Sequence, residues 1–285
     1  MSKLKIGVLL VACFALLVSL SAQAQLKTLD YPGAFETDCN AINKAGIIVG
    51  FQIDQTGVPH GFAFVNGAFK NINVPGSSGT YAYGINDRNQ VVGWYLDSQQ
   101  VQHGYVYTNG TFTKVDVPQA VNTNVWTISN DGTVMVGSYT DSSGVFHGFT
   151  RANGTFTKFD APNSTLTQIL GLNSKGIRVG IFIDSSGVQH GFALQGSKFT
   201  QIDYPGAGVT AVDRINSSNA YVGLFGPGTS CPTCSGYIHQ NGKYTAINYP
   251  KSTETRIRGL NDAATVVGRY TDQAGVIHGL VGKQP

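Results

Sequence analysis

The sequence predicts an all-β fold, and three observations lead there. The 285 residues include 36 Gly, 15 Phe and 13 Tyr, whereas only two of the 16 acidic residues, Glu36 and Glu254, are Glu. That usage is poor in helix formers and rich in strand and turn formers. A pattern of landmarks returns about every 43 residues, the sign of a repeated supersecondary unit. Each copy also holds four short alternating segments separated by turn chemistry.

The landmarks occur in a fixed order. A Pro ends an apolar-polar segment at Pro32, Pro75, Pro118, Pro162, Pro205 and Pro250, spaced by 43, 43, 44, 43 and 45 residues. A Thr opens the next segment at Thr37, Thr80, Thr123, Thr167, Thr210 and Thr255. Val-Gly follows, ending at Gly50, Gly93, Gly137, Gly180, Gly223 and Gly268. His-Gly comes next, at His60, His103, His147, His190 and His278, with Ser235-Gly236 in the fifth copy. Six copies are present.

The second copy shows the four strands in order. The first runs from Thr80 to Asn86, the second from Val91 to Leu96 around Val-Gly, the third from His103 to Tyr107, and the fourth from Phe112 to Pro118. Asn-Gly at Asn66, Asn109, Asn153 and Asn241 joins strands three and four, a strong hairpin signal. Asp-x-x-Gly at Asp54, Asp141, Asp184 and Asp272 turns strand two into strand three.

Four-stranded antiparallel units of this length, repeated about an axis, make a β-propeller, here with six blades. The chain ends agree. Only six residues follow His278-Gly279, so the last copy lacks its fourth strand, while Leu26 to Pro32 is an orphan fourth strand. Pairing the two closes the ring and hides two sheet edges. Residues 25–285 are therefore expected to form one propeller domain.

Residues 1–24 read as a secretory signal peptide: Lys3 and Lys5, an apolar run from Ile6 to Leu20, then Ala22-Gln23-Ala24. Cleavage near Ala24 would leave Gln25 first and send the chain to the periplasm or outside the cell. An uncleaved anchor or a lipid-bearing Cys13 fits less well, since the run is shorter than the roughly 20 residues of a spanning helix and continues past Cys13. No later segment is long and apolar enough to span a bilayer. The formal charge of +3 falls to +1 without the leader, 17 basic against 16 acidic residues. That near-neutrality argues against nucleic acid. Three cysteines then remain, and in an oxidising compartment Cys231 and Cys234 are expected to close a short disulfide, leaving Cys39 free. No metal cluster or cofactor motif is evident, so neither is expected. A monomer is expected.

The triplets His60-Gly61-Phe62, His103-Gly104-Tyr105, His147-Gly148-Phe149 and His190-Gly191-Phe192 resemble those of the HAF-type extracellular repeat family, named for a His-Ala-Phe-like triplet. The resemblance covers nearly the whole mature chain. It departs in having Gly for Ala and in the fifth copy, which has lost the His. It implies an exported bacterial repeat protein of no established activity, and it supplies no catalytic residues.

Residues present in every copy are explained first by folding. Strand three lies two strands out from the axis at about 4.8 Å per strand, too far for several His to share a metal at about 2.1 Å. The His therefore reads as a structural hydrogen-bonding group, one that could bridge blade to blade. Asn43, Asn86, Asn173, Asn216 and Asn261 read as turn caps, Asp30, Asp116, Asp160 and Asp203 as strand-end bonds, and the Gly rings as sites of close sheet packing.

A ligand site on such a scaffold belongs where the copies disagree. Two places after the Thr, every copy is apolar or small, from Cys39 and Ala82 to Ile257, so that column faces the packed interior. One place after it stand Asp38, Tyr81, Asn124, Gln168, Ala211 and Arg256; three places after stand Asn40, Tyr83, Trp126, Leu170, Asp213 and Arg258. Period-two geometry puts both columns on the other face, toward the channel mouth. The candidate ligand-binding set is Asp38, Tyr81, Tyr83, Asn124, Trp126, Gln168, Asp213, Arg256 and Arg258. It suits a polar ligand with apolar faces, such as a glycan, a peptide or a surface protein segment. The simpler alternative is a channel plug with Asp213 and Arg258 as a structural ion pair. A non-enzymatic binding module is the leading reading, ahead of a carbohydrate lyase or hydrolase in the channel mouth and of a multivalent lectin with repeated sites between blades.

Overall fold

The computed structural model of the chain describes residues 25–229, 231 and 233–283; the expected leader and Cys13 lie outside them. All regular structure among the described residues is β-strand, with no helix. In the first unit Glu36–Ile42, Ile48–Ile53, Pro59–Val65 and Ala68–Asn71 pair antiparallel in chain order. The second, Gly79–Ile85 through Thr111–Val115, and the fifth, Val209–Ile215 through Lys243–Ile247, repeat it as separate sheets. Units three and four keep the same internal order and are joined by one parallel bridge, Phe146 to Leu166.

The chain ends meet. Glu254–Leu260, Thr265–Thr271 and Ile277–Lys283 form a sheet whose fourth strand is Gln25–Thr28, in register from Gln25 opposite Lys283 to Thr28 opposite Leu280. Leu29 N–H continues the pairing, donating to the Gly279 carbonyl at 2.8 Å. Glu36–Ile42 of the first unit in turn packs on all three C-terminal strands.

Each landmark has a bond to make. The Thr closes the Pro-containing link between units: Thr37 Oγ1 accepts from Tyr31 N–H at 3.0 Å, and Thr80, Thr123, Thr167, Thr210 and Thr255 repeat this bond. The Asn cap does more than cap. Asn43 Oδ1 accepts from Ile47 N–H at 2.9 Å within its unit, while Asn43 Nδ2 donates to the Asn86 carbonyl of the next at 3.2 Å. Asn86 reaches Ser129, Asn173 reaches Asn216, and Asn261 reaches back to Asn43 at 3.1 Å. Both residues of each Asn-Gly turn have positive φ, as at Asn66 (51°) and Gly67 (81°), the twist that suits a two-residue hairpin.

The repeated His does not bridge units, contrary to expectation. His147 is clamped inside its own unit, its Nδ1 2.8 Å from Asp160 Oδ1 and its Nε2 3.1 Å from Asp141 Oδ2. His103 and His190 are held the same way. The imidazole thus staples the turn after strand two to the end of strand four, because those two elements flank the start of strand three. In the sixth unit His278 reaches Asp30, so the clamp joins the two ends of the described chain.

The core lies between successive sheets. Cys39, Ala82, Val125, Ile169, Val212 and Ile257 are all fully buried. Val125, for example, packs with Val92, Val106 and Val115 of the preceding unit and Phe149 of its own. Full burial of one such aliphatic side chain contributes roughly 1.5–3 kcal/mol. Cys39 carries a free thiol in this layer, and Cys231 is disulfide-bonded to Cys234.

Candidate functional site

The innermost strand of every unit carries a β-bulge at one place. Register slips between Cys39 and Ala41, Ala82 and Gly84, Val125 and Thr127, Ile169 and Gly171, Val212 and Arg214, and Ile257 and Gly259. The extra residue is the third after the Thr. A bulge bends the strand and re-aims its side chains, and the Val-Gly glycine opposite makes room: a Cβ at Gly93 would run into the Tyr81 carbonyl, and at Gly268 into that of Arg256.

Two cavities lie on the two sides of this bulge. One, of about 130 Å³, is lined by third-place residues Tyr83, Trp126, Leu170, Asp213 and Arg258 and by first-place Gln168, Ala211 and Arg256. The other, of about 140 Å³, is lined by fourth- and fifth-place residues of all six units, among them Ala41, Gly84, Thr127, Gly259 and Ile42, and by the Asn caps. Arg214 borders both. Six of the nine predicted residues therefore meet at one cavity: Tyr83, Trp126, Gln168, Asp213, Arg256 and Arg258.

The other three stand behind that set. Asp38 is buried, with Arg269 Nη1 donating to its Oδ2 at 3.3 Å and Arg258 Nε 3.7 Å from its Oδ1. Tyr81 stacks on Trp94 at 3.8 Å. Asn124 is buried, and its Oδ1 has no hydrogen-bond partner. The postulated pair of Asp213 with Arg258 is replaced by that of Arg258 with Asp38, a carboxylate that Arg269 also engages. Asp213 is left buried with its Oδ2 unpartnered. Burial pushes its carboxyl above the usual range, against the pull of Arg258, Arg214 and Arg256.

Arg214 was not among the predicted residues, and it holds the passage together. Its Nη1 donates to the carbonyls of Leu170 at 2.7 Å and Asp213 at 2.9 Å; its Nη2 donates to those of Tyr83 at 2.6 Å and Trp126 at 3.1 Å. One guanidinium thus ties the inner strands of units two to five and separates the two cavities. Burial pulls its pKa down to about 10. A signal for it exists in the sequence: the fourth place after the Thr is Ala41, Gly84, Thr127, Gly171 and Gly259 in the other five units, small wherever the one large residue must reach across.

A second missed column lies on strand two, one place after Val-Gly: Phe51, Trp94, Ser138, Ile181, Leu224 and Arg269. Each sits directly opposite a first-place residue, Phe51 facing Asp38, Trp94 facing Tyr81, and Arg269 facing Arg256. The test of disagreement between copies applies to it as well. Together the columns divide the mouth into unlike halves. Units one to three supply a continuous aromatic wall, Phe51 against Tyr81 at 4.8 Å and Tyr83 against Trp126 at 4.4 Å, with Trp126 Nε1 donating to Ser138 Oγ at 3.0 Å. Units six and one supply ions: Arg256 on Glu254 at 2.6 Å, and Arg269 on Glu36 and Asp38, each at 3.3 Å.

No family model and no curated protein sequence matches the chain. Solved structures do resemble it. A triple arginine mutant of AofleA from Arthrobotrys oligospora superposes with a TM-score of 0.55 at 14% identity, over 91% of this chain and 86% of that one. A mutant of Aleuria aurantia lectin in complex with Fucα1-6GlcNAc gives 0.56 at 10% identity, over 87% and 93%; another structure of that lectin is described as a six-bladed β-propeller with a novel fucose recognition mode. The β-propeller domain of the Trilobed protease from Pyrococcus furiosus gives 0.54 at 10% identity, over 89% and 94%. The fold is a β-propeller. At such identities the likeness speaks to fold alone.

Proposed function

We propose that this chain is a closed six-bladed propeller of the HAF-type repeat kind, exported after cleavage near Ala24, which binds a carbohydrate at the divergent mouth and carries out no chemistry on it. The blade count rests on six repeats and on the contacts that lead from the sixth unit back to the first, including Asn261 to Asn43 and Arg269 to Glu36. One observation carries the binding reading. Two strand-one columns that disagree from copy to copy send Tyr83, Trp126, Gln168, Asp213, Arg256 and Arg258 to a single cavity, where aromatic side chains and ionisable groups line one space. Aromatic faces take the apolar side of a sugar ring, and unsatisfied buried donors and acceptors are costly unless a ligand or water completes them. The resemblance to fucose-binding lectins supports the class of ligand.

A lectin with several equivalent sites is the second reading. Two crevices at corresponding places of the repeat favour it, one lined by His190, Tyr204, Pro205 and Thr210 and the other by Ser235, Tyr249, Pro250 and Thr255. Against it, both ring nitrogens of the repeated His are already engaged, by two Asp at His103, His147, His190 and His278 and by Asp54 and Asn73 at His60. Glycan-array screening of the mature protein followed by calorimetry separates the two. The mouth predicts one sugar chain per protein and a loss of about ten-fold or more on Trp126→Ala with the fold retained. Several sites per chain, indifferent to Trp126→Ala, would establish the second reading. New reducing ends or unsaturated products after incubation with a polysaccharide panel would make it an enzyme.

A further inference from the structure

We infer that the sugar bound at this mouth carries a carboxylate, so that the ligand class is an acidic glycan built from uronic acids. The inference rests on the carbohydrate reading above and goes further, naming the group that enters the cavity.

Charge is the first ground. The cavity is lined by three guanidinium groups, Arg214, Arg256 and Arg258, and by one carboxyl, Asp213. Arg214 is spent on four backbone carbonyls, and Arg256 leans on Glu254 through Nε and Nη2. Arg258 is the least satisfied: its Nε donates no hydrogen bond and stands 3.7 Å from an Asp38 carboxylate that Arg269 already engages. The layer behind adds Arg269, paired with Glu36 and Asp38, and Glu254, paired with Arg256. The whole group is balanced only while Asp213 is ionised, and burial opposes that ionisation.

Geometry is the second ground. Asp213 is 5% exposed, and its Oδ2 has no partner. The Arg258 guanidinium, on the same cavity wall, can donate to a ligand carboxylate in a charge-assisted pair, and an Asp213 carboxyl that takes up a proton can donate to the other oxygen. A hydroxyl of a neutral sugar could accept from Arg258 but would not form the charge-assisted pair. Size is the third ground. A cavity of about 130 Å³ is well under the roughly 300 Å³ at which ligand pockets begin. It admits one substituent, while the ring stays at the opening beside Tyr83 and Trp126.

The test is calorimetric titration of the full mature chain with uronate oligosaccharides (galacturonate, glucuronate and mannuronate types), the methyl esters of the same chains, and neutral oligosaccharides. At least one acid form should bind roughly ten-fold or more tightly than its ester, the loss expected when a hydrogen bond to a charged group goes, and salt should weaken it. Arg258→Gln should abolish that preference, so that acid and ester bind alike. Arg256→Gln, at a group already paired with Glu254, gives a second reading should Arg258→Gln fail to fold. Equal affinity for acid and ester, or binding of neutral sugars alone, would overturn the inference and leave the carbohydrate reading standing. Absence of binding to every glycan on the array would remove both.

Discussion

The two ends of the axial passage are built from the same six strands, a few residues apart, and they treat the repeat in opposite ways. At the end lined by Asn43, Asn173, Asn216 and Asn261, the side chains of Asn43, Asn86, Asn173 and Asn261 bond the backbone of the next unit, so these copies constrain their neighbours and the residue type is held nearly constant. The third unit, with Ser129, shows the limit of this. The Ser hydroxyl still accepts from Val134 N–H at 2.9 Å but is too short to do what Asn86 does in reaching across to the following unit. At the other end the side chains meet across a cavity, so Tyr83, Trp126 and Arg258 can stand at one place of the repeat without disturbing the sheets. Uniformity marks where blades must agree. Divergence marks the end at which the proposed ligand would be met.

The sharpest way to break this comparison is at Arg214, which separates the two ends. Arg214→Met should lower unfolding free energy by about 3 kcal/mol or more, since it strips partners from four inner-strand carbonyls, each costing about 1 kcal/mol or more when left buried. Urea unfolding measures it, and an unchanged midpoint would mean that the passage holds its shape without the plug. Next comes Gly137→Ala, whose Cβ would meet the Asn124 carbonyl and the Phe149 ring. The bulge then has no room, and about 1–3 kcal/mol should be lost, read as a drop in melting temperature. Asn261→Ala removes a turn cap and the bond to Asn43, for about 1–2 kcal/mol, and should leave glycan affinity at the divergent mouth untouched; a fall in affinity would mean that the ends are not independent.

The smallest effect concerns acid. Asp54 and Asp141 have their carboxyls held well below the ordinary range, first by Thr56 and Ser143 hydroxyls and then by backbone N–H groups and the neighbouring His. For a carboxylate so depressed, the contribution to stability is present above the unfolded value of about 4 and drains away as pH falls below it toward the folded value. Both groups are only partly buried, so solvent screening keeps the effect modest. Melting temperature should be flat from neutral pH down to about 5 and decline below about 4. A decline that begins near neutrality would point to some other group.

Much of the scaffold was legible because each blade needs the same devices to fold. The Pro, Thr, Asn-Gly and Val-Gly landmarks mark links, hairpins and bulges that are local in the chain, and the spare strand from Leu26 revealed how the ends meet. The disulfide of Cys231 with Cys234 was legible for the same reason, being a contact across three residues. The His was placed correctly on strand three but not its partners: Asp141 and Asp160 lie on either side of His147 in the chain, and only hairpin pairing brings both to one ring. At the mouth, six of nine residues were found by column disagreement. Asp38, Tyr81 and Asn124 belong to the same columns and stand back from the cavity, since their neighbours Arg269, Trp94 and Ser138 on strand two fill the space first.

The sequence by itself determined the six copies, their four strands, and the columns that could carry a site, because period and turn chemistry are properties of short stretches. Only the tertiary structure decided that Arg214 would span four units, that Arg258 would turn to Asp38, and that Asp213 would be left alone. Those outcomes depend on distances between strands far apart in the chain. A buried charge takes whichever partner the fold brings within reach.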